Sequence, residues 1–269
     1  MKILNGTEIA SFIKQRQARA VRSLKQSWGI TPKLAIVQAK DDLVINTYVR
    51  LKKRYGSDIG VDVDSYMIKQ ADVRSLVNKL NSDDTVHGII IQLPLENPVE
   101  TDAIVDLVIK TKDVDALAKD TKFDPATPVA IMWLLAGYNI DLKNKNVAII
   151  GRGKLVGKPL EKMLKQSGVK VESADRNTKN LADITKAADV IITATGNPAL
   201  IHPEMIKKGA VIVDAGVATE EGKTVGDLAP SVYERDDLSI TPQKGGVGPL
   251  TVCSLFENVI KAAQLAQKQ

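Results

Sequence analysis

A tyrosine and a lysine stand four residues apart in a segment whose apolar residues have a helical spacing. Tyr48 and Lys52 therefore share one face of a predicted helix over about residues 43–55, together with Val44 and Tyr55. A lysine on a helix is usually solvated, but a stripe of apolar and aromatic residues would desolvate this one. Desolvation lowers the pKa of a lysine toward neutrality, which would make Lys52 usable for proton transfer.

A glutamine ends a strongly apolar segment. Residues 86–93 are too apolar to have a solvent-facing side, so they predict a central strand of a parallel sheet. Gln92 stands at the carboxyl end of this strand, where α/β sheets bind their ligands. Since a glutamine can accept a hydrogen bond from a buried lysine without adding negative charge, Gln92 is a candidate partner for Lys52.

Gly151, Gly153 and Gly157 lie between a predicted strand at 147–150 and a predicted helix. Glycines allow a tight turn at such a place, and the free amides of the helix N-terminus can hold a pyrophosphate, beside which Arg152 adds a cation. The spacing is G-x-G-x-x-x-G rather than the usual G-x-G-x-x-G, so a purely structural turn explains it nearly as well.

An acid and a base end the next predicted strand, at about 169–174. Asp175 would hydrogen-bond an adenosine ribose and favour NAD, whereas Arg176 would hold a 2′-phosphate and favour NADP. The presence of both residues leaves the choice of cofactor open. A solvated strand end is the alternative interpretation.

A glycine-rich run contains Gly245, Gly246, Gly248 and Pro249. Glycine lets a ligand approach the main chain closely, so the run suits a ligand-facing loop, although a plain turn explains it equally well. An amphipathic helix is predicted directly after it, over residues 250–264.

Strand and helix patterns alternate along the chain, beginning with a helix that Thr7 would cap and Gly29 would end. This order predicts two α/β domains around a cleft, the second a Rossmann-type dinucleotide-binding domain, with the C-terminal helix returning to the first. The predicted boundaries are 1–124 plus 250–269 for the first domain and 125–249 for the second. Further predicted strands lie near 34–37, 61–67, 189–194 and 210–214, and further helices near 71–81 and 100–110.

Composition excludes several classes of protein. The only cysteine, Cys253, rules out an internal disulfide framework, and with only His87 and His202 we predict no metal site. Basic residues are scattered among acidic ones and only 4% of the residues are aromatic, which argues against a nucleic-acid groove. No apolar run approaches the ~20 residues that span a bilayer. These features favour a cytoplasmic protein without nucleic-acid or membrane partners.

Five motifs occur in a single order along nearly the whole chain. They are YVRLK at 48–52, GIIIQLPL at 88–95, KDVD at 112–115, GR and VGKP within 151–159, and GGVGP at 245–249. This series closely resembles the bifunctional methylenetetrahydrofolate dehydrogenase/cyclohydrolase family. One motif can occur by chance in a globular chain, but five in order are hard to explain in that way.

The resemblance implies a folate enzyme of one-carbon metabolism, with an expected link to purine biosynthesis. Such an enzyme oxidises 5,10-methylenetetrahydrofolate by hydride transfer to NADP, or to NAD, and hydrolyses the methenyl product to 10-formyltetrahydrofolate. Its partners are tetrahydrofolate derivatives, and the family implies a homodimer.

The resemblance also implies roles for individual residues. Tyr48 would pack on the folate, Lys52 would be the key catalytic group, Gln92 would orient that lysine, and Asp115 would bind the pterin ring. Without the family, Asp115 is better explained as an acid in a surface loop. Further implied substrate contacts are Leu93, Pro94, Gly248 and Pro249. The implied cofactor contacts are Gly151, Arg152, Gly153, Val156, Gly157, Asp175, Arg176, Thr195, Gly196 and Val217.

The chain departs from the family pattern mainly on the cofactor side and in one pocket loop. The departures are Ile45 for a serine, Ala116 for a glycine, Ala126 for a cysteine, Gly153 for a serine, Asp175-Arg176 for a His-Ser pair, Ala218 for an asparagine, Gln243-Lys244 for a Val-Pro pair, and a shortened segment 115–125. They leave open a folate-binding relative that is cyclohydrolase-only or non-catalytic. A shikimate-type dehydrogenase with a similar two-domain plan is a more remote alternative.

Overall fold

The computed structural model describes residues 1–220 and 223–267. The α-helices are α1 Gly6–Trp28, α2 Leu43–Ile59, α3 Val73–Ser82, α4 Thr101–Val105, α5 Ala126–Gly137, α6 Gly157–Gln166, α7 Leu181–Ala187 and α8 Val247–Ala266. The strands are β1 Lys2–Ile3, β2 Lys33–Gln38, β3 Asp62–Met67, β4 Gly88–Gln92, β5 Asn146–Ile150, β6 Lys170–Ala174, β7 Val190–Thr193, β8 Val211–Asp214, β9 Ala218–Glu220, β10 Lys223–Val225 and β11 Ser239–Ile240.

The chain forms two compact units, each with its own sheet. The six-stranded unit contains Met1–Ala10 and Thr127–Thr251, and the three-stranded unit contains Ser11–Ala126 and Val252–Gln269. The first ten residues thus belong with the second half of the chain, which differs from the predicted boundary. The reason is that β1 pairs in parallel with β11, a contact that no local pattern reveals.

The three-stranded unit is a parallel sheet in the order β3-β2-β4. The core on one side of the sheet joins Ile36 and Ile90 to Phe256, Val259 and Ile260 of α8. The predicted return of the C-terminal helix to this domain is therefore confirmed. Burial of its apolar face, at about 1.5–3 kcal/mol for each large side chain, holds the helix there.

The six-stranded unit is a parallel sheet in the order β1-β11-β8-β7-β5-β6. Its central strands β5, β7 and β8 are nearly all apolar, as expected for a parallel sheet covered on both faces, and Ile150, Ile191, Ile212 and Ile240 share one core. The predicted class, with a Rossmann-type second domain, is confirmed. A short antiparallel pair, β9 with β10, was not predicted because each strand has only three residues.

Two helix predictions need correction. Asn5, not Thr7, caps α1, because its Oδ1 accepts the amide of Thr7 at 3.0 Å. The helix predicted at 100–110 ends at Val105, after which the chain turns so that Asp113 forms a parallel bridge with Ile89. No helix in the described ranges is long and apolar enough to cross a membrane.

Candidate active site

Lys52 and Gln92 meet at the carboxyl end of the three-stranded sheet. Lys52 lies on α2, and its Nζ donates a hydrogen bond of 2.6 Å to Gln92 Oε1 at the end of β4. The glutamine amide group in turn donates to the Leu93 carbonyl oxygen at 3.1 Å, which directs its own oxygen toward the lysine. The helical spacing and the strand end, read separately from the sequence, therefore converge on one contact.

A lysine and an aspartate share this partly buried place. Burial lowers the pKa of Lys52 below its ordinary value, and the nearby charge of Asp115 acts in the opposite direction. Burial likewise raises the pKa of Asp115, and the charge of Lys52 opposes that shift. Neutral and charged forms of the lysine are thus closer in free energy than they are in water, as proton transfer requires.

The segment before Asp115 is anchored by main-chain contacts. Lys112 Nζ donates to the carbonyl oxygens of Leu80, Asn81 and Asp83 at 3.0, 2.9 and 2.7 Å, at the C-terminal end of α3. A cation at a helix C-terminus satisfies carbonyls that have no partner within the helix. Lys112 therefore has a structural role.

Asp113 continues the anchoring. Its side chain is buried and accepts the amides of Leu117 and Ala118 at 3.3 and 3.1 Å. These bonds close the turn that contains Asp115. The residues before and after Asp115 therefore fix its position. Asp115, which is predicted to bind a ligand, therefore lies two residues after Asp113, which shapes the loop.

Ala116 adopts a backbone conformation that favours glycine. Its φ is +56°, in the left-handed region that costs a residue with a Cβ about 1–2 kcal/mol. An alanine at this position therefore leaves local strain that a glycine would avoid. We predict that Ala116→Gly raises the free energy of unfolding by about 0.5–1 kcal/mol, since the added chain entropy of glycine offsets part of the gain. Urea denaturation measures the difference.

Ala20→Gly is the control for this prediction, because Ala20 lies within α1 and also packs against the core of the three-stranded unit. In that helix, the change from alanine to glycine should lower the free energy of unfolding by about 1 kcal/mol. If Ala116→Gly destabilised the protein as much as Ala20→Gly, the strain at Ala116 would be refuted.

The predicted stripe on α2 divides into an exposed and a buried part. Tyr48 and Val44 keep 38% and 43% of their surfaces exposed, which leaves an aromatic face open one turn before Lys52. Tyr55 is instead a core residue: its hydroxyl donates to Gln17 Oε1 at 2.7 Å and its ring lies 5.0 Å from that of Phe256. Only the first part of the stripe can contact a ligand.

A second glutamine at the sheet edge was missed. Gln38 ends β2, lies opposite Gln92 in register and is buried. Its Nε2 donates to Asn46 Oδ1 at 2.5 Å and to the Lys40 carbonyl oxygen at 3.0 Å, so it ties the first turns of α2 to the sheet. The signal was available, because Gln38 ends the apolar run at 34–37 as Gln92 ends its own strand.

The glycines of the turn after β5 serve different purposes. A Cβ on Gly151, whose φ is +106°, would lie 2.5 Å from the Ala194 carbonyl oxygen, and one on Gly157 would lie 1.8 Å from that of Gly151. These two glycines are required by the turn itself. A Cβ on Gly153 would meet no atom within 4 Å in the described residues. Val156, which precedes α6, has no polar side chain that could cap the amides of this helix. The Lys158 amide already donates to the Gly153 carbonyl oxygen at 3.1 Å and Pro159 has no amide hydrogen, so in the first turn of α6 the Gly157 amide is the one that can receive an anion.

Arg152 has an acidic neighbour. Its Nε lies 3.4 Å from Glu161 Oε2, and the same carboxylate pairs with Lys165 at 2.6 Å. The hydrogen bond from Lys165 is the main reason that the pKa of Glu161 is lowered. Part of the positive charge of Arg152 is therefore balanced within the protein.

Asp175 and Arg176 follow β6 and are both exposed. The Asp175 carboxylate accepts a hydrogen bond from the Asn177 amide at 2.9 Å. The main-chain amide of Asp175 donates to the Thr178 hydroxyl oxygen at 3.0 Å. Asp175 therefore builds the turn, while Arg176 extends from it.

Thr195, Gly196 and Val217 belong to the loops that follow β7 and β8. Gly196 has a φ of +66°, and a Cβ on it would lie 3.2 Å from the Val217 carbonyl oxygen. Val217 keeps 56% of its surface exposed. Since β5, β7 and β8 are neighbours in the sheet, these loops and the turn at Gly151 form one continuous edge.

The glycine-rich run also contains two kinds of glycine. Gly245 has a φ of +84°, and its carbonyl oxygen accepts the Thr7 amide at 3.0 Å. The Gly246 carbonyl oxygen would lie 1.8 Å from a Cβ on Gly6. Gly248 is exposed, and a Cβ there would meet no atom within 4 Å in the described residues. The first two glycines are thus explained by internal packing, and Gly248 is not.

The remaining predicted substrate contacts occupy two places. Leu93 and Pro94 directly follow β4 and are joined by a cis peptide bond, and Pro249 lies half-buried in the first turn of α8.

Within residues 1–220 and 223–267, no group of three or more His, Cys, Asp or Glu side chains is arranged to hold a metal ion.

Comparisons with known proteins cover almost the whole chain. A family model described as the tetrahydrofolate dehydrogenase/cyclohydrolase catalytic domain matches residues 4–115, and one described as the NAD(P)-binding domain of the same enzymes matches residues 125–267. The bifunctional protein FolD of Lactobacillus helveticus is 40% identical over 97% of this chain and 96% of its own length.

Two solved structures are similar throughout. The bifunctional methylenetetrahydrofolate dehydrogenase/cyclohydrolase of Campylobacter jejuni is 36% identical, with a TM-score of 0.92 over 98% of this chain and 99% of its own. The enzyme of Trypanosoma brucei, solved with NADP and an inhibitor, is 28% identical, with a TM-score of 0.93 over 99% of this chain and 98% of its own.

Proposed function

Because this chain belongs to the tetrahydrofolate dehydrogenase/cyclohydrolase family, we propose that it catalyses both reactions of that name. It oxidises 5,10-methylenetetrahydrofolate to 5,10-methenyltetrahydrofolate with a nicotinamide cofactor, and it hydrolyses the methenyl form to 10-formyltetrahydrofolate. Membership of the family removes the shikimate-type alternative.

The contact between Lys52 and Gln92 is the observation that carries the proposal. A partly buried amine with a lowered pKa, held at 2.6 Å by a neutral acceptor, is suited to moving protons. The site contains the three side chains that the family chemistry needs at this edge, namely Lys52, Gln92 and Asp115. Their survival favours a working enzyme over a relative that only binds folate.

The hydrolysis follows from these residues. Water adds to the cationic carbon between the two nitrogens of the methenyl bridge, and neutral Lys52 accepts a proton from that water. The carbon–nitrogen bond to N5 then breaks, N5 takes up a proton, and the formyl group stays on N10. One proton is released for each water consumed. Gln92 keeps the amine directed at the bridge, while Tyr48 offers its ring to the flat pterin and Asp115 accepts the pterin amino donors.

The six-stranded unit provides groups that fit a dinucleotide. The Gly157 amide at the start of α6 and the open turn at Gly153 suit a pyrophosphate, and the exposed loops at Gly196 and Val217 suit flat rings. The nicotinamide cofactor, when bound, supplies the hydride acceptor for the oxidation. The residues of this unit bind and orient it.

The experiment that tests the function follows the absorbance of methenyltetrahydrofolate. Purified protein is mixed with methylenetetrahydrofolate and either NADP⁺ or NAD⁺, and hydrolysis is measured separately on the methenyl form. We expect both reactions. Hydrolysis without oxidation in either cofactor would support the cyclohydrolase-only alternative, and neither reaction would support the non-catalytic one.

The cofactor preference is proposed to be for NADP. Asp175 uses its carboxylate to hold the Asn177 amide, whereas Arg176 is exposed and can pair with a 2′-phosphate. We predict that Arg176→Ala raises the KM for NADP⁺ by about tenfold, because a charge-assisted contact is lost, and leaves the KM for NAD⁺ unchanged. Steady-state kinetics with each cofactor measures both values.

Lys170→Ala is the matched control, since it removes a positive charge from the start of the same strand. Equal effects of Arg176→Ala on NADP⁺ and NAD⁺ would contradict recognition of the phosphate by this arginine.

Gly248 is proposed to lie against the folate, with Pro249 beside it. Nothing in the described chain explains the missing side chain at Gly248, and alanine is a better helix former than glycine by about 1 kcal/mol. We therefore predict that Gly248→Ala keeps or raises the melting temperature while it lowers kcat/KM for the folate by about tenfold, since an added methyl group obstructs close approach.

Gly168→Ala should behave in the opposite way. Gly168 follows α6 with a φ of +76°, so a Cβ there is strained but far in the chain from the predicted folate contacts. We expect a lower melting temperature and unchanged kinetics. Normal folate kinetics in Gly248→Ala would remove this residue from the site.

The remaining proposals concern context. We propose that the protein is a homodimer in the cytoplasm and that its product supplies purine biosynthesis, as the family resemblance implies. Sedimentation of the purified protein tests the first of these, and a monomer at micromolar concentration would contradict it.

A further inference from the structure

Two aspartates connect the loops that follow β7 and β8. Asp214 ends β8, and Asp227 lies after β10 with 0% of its surface exposed. Thr193 of β7 stands opposite Asp214 in register, and its hydroxyl donates to Asp214 Oδ1 at 3.0 Å. The two carboxylates therefore lie at the edge of the sheet where the proposed cofactor contacts begin.

Asp227 holds both sides of Gly196. Its Oδ2 accepts the Thr195 amide at 2.7 Å, and its Oδ1 accepts the Asn197 amide at 3.1 Å. Hydrogen bonds from main-chain amides to a buried carboxylate are stronger than those between neutral groups. They fix the main chain of a loop whose residues are otherwise exposed.

Asp214 holds the loop after β8 and the segment that carries Asp227. Its Oδ1 accepts the amides of Gly216 and Asp227 at 2.9 and 3.1 Å, and its Oδ2 accepts that of Leu228 at 3.2 Å. Burial and the charge of Asp227 raise the pKa of Asp214, and the amides of Asp227 and Gly216 oppose the rise. In the described part of the chain, main-chain amides rather than lysine or arginine side chains stabilise the pair.

The two carboxylates fit reciprocally against two glycines. A Cβ on Gly216 would lie 2.1 Å from Asp227 Oδ1, and a Cβ on Gly226 would lie 2.1 Å from Asp214 Oδ2. Each aspartate thus occupies space that only a glycine leaves free. Such close approach on both sides indicates one locked arrangement of the two loops.

We propose that Asp227 is a positioning residue for the nicotinamide cofactor, which fixes Thr195, Gly196 and Val217 as one rigid binding surface. This role rests on the proposed binding of the cofactor at those loops. Because Asp227 is fully buried, it acts through the main chain and not by touching the cofactor. Preorganisation of the loops removes an entropic cost of binding.

Asp227→Asn tests the proposal. The amide group must turn one N–H toward a main-chain N–H, so one of the two bonds to the loop is lost. We expect the Kd for NADPH, measured by fluorescence titration, and the KM for NADP⁺ to rise about tenfold. The cyclohydrolase kcat, measured without cofactor, should stay within about twofold of wild type, because Lys52 lies in the other unit.

Asp189→Asn is the matched control. Asp189 also accepts a main-chain amide, that of Asn146 at 2.9 Å, but at the opposite end of the sheet. The Asp189→Asn variant should have a lower melting temperature than the wild type and the same Kd for NADPH. If Asp227→Asn does not fold, Thr193→Val replaces it, since it removes only the hydroxyl donor to Asp214; a rise in Kd of about threefold is then expected.

The outcomes separate this proposal from the function on which it rests. A wild-type protein that does not bind NADPH would refute the proposed cofactor site. If the wild-type protein binds NADPH and folded Asp227→Asn binds it with the same Kd, only the positioning role is overturned. The same holds for an unchanged Kd in Thr193→Val where that variant is used. A parallel loss of cyclohydrolase activity would also overturn it, because the effect would then be general damage.

Discussion

Replacement of Lys52 with methionine is expected to lower the cyclohydrolase kcat by a factor of about 10²–10⁴, the range typical for loss of a general acid or base. Methionine keeps the unbranched shape of lysine, but it leaves Gln92 Oε1 and the buried Asp115 carboxylate without the amine, so the melting temperature should fall while the protein still folds. The rate of disappearance of methenyltetrahydrofolate measures the first effect, and calorimetry measures the second.

Lys53→Met is the control, because Lys53 is the next residue on α2 and is exposed. It should leave both the rate and the stability near wild type. Near-normal hydrolysis by Lys52→Met would exclude Lys52 from proton transfer, whatever its contact with Gln92.

Replacement of Gln92 with glutamate is expected to move the pH dependence of hydrolysis upward. The new carboxylate would lie where the present oxygen is 2.6 Å from Lys52 Nζ, and a neighbouring negative charge raises the pKa of a lysine by about 1–3 units. Since the proposed mechanism uses the neutral amine, the rising limb of kcat against pH should shift to higher pH. At neutral pH, kcat should fall by about tenfold or more.

Asp115→Asn should have the opposite effect on that limb. Asp115 raises the pKa of Lys52 against the effect of burial, so its removal lowers this pKa further and shifts the rising limb to lower pH. Measurements at saturating folate separate this shift from weaker pterin binding, which would appear in KM. Shifts of the two variants in the same direction would contradict the account.

The centre of the site could be predicted because two local patterns define it. The helical spacing placed Tyr48 and Lys52 on one face, and the apolar run placed Gln92 at a strand end. In a parallel sheet both features converge on the carboxyl edge. The 2.6 Å contact is the direct outcome of that geometry.

Contacts between distant segments could not be predicted from local patterns. The bond from Gln38 to Asn46 and the bonds from Asp227 to the loop after β7 depend on how the chain returns to the sheet. The same reason explains the first ten residues, since β1 and β11 have two residues each and show no strand pattern.

The glycines show a second limit of the sequence. Gly151, Gly157 and Gly246 lie in tight packing with neighbouring atoms, whereas Gly153 and Gly248 have open space where a Cβ would be. In the sequence these glycines look alike, because a shortage of internal space and a need for a ligand to approach select the same residue. Only the atoms that surround each glycine in the folded protein distinguish them.

The central claim is that the site lowers the pKa of one lysine, and a titration of that lysine tests it most directly. Nuclear magnetic resonance of protein labelled at the lysine ε-carbon follows each amine as the pH is raised, and the Lys52 signal is identified by its absence in Lys52→Met. The account predicts that this signal titrates below the ordinary value of a lysine and moves upward in Gln92→Glu. Titration of Lys52 at the ordinary value of about 10.4 would contradict it.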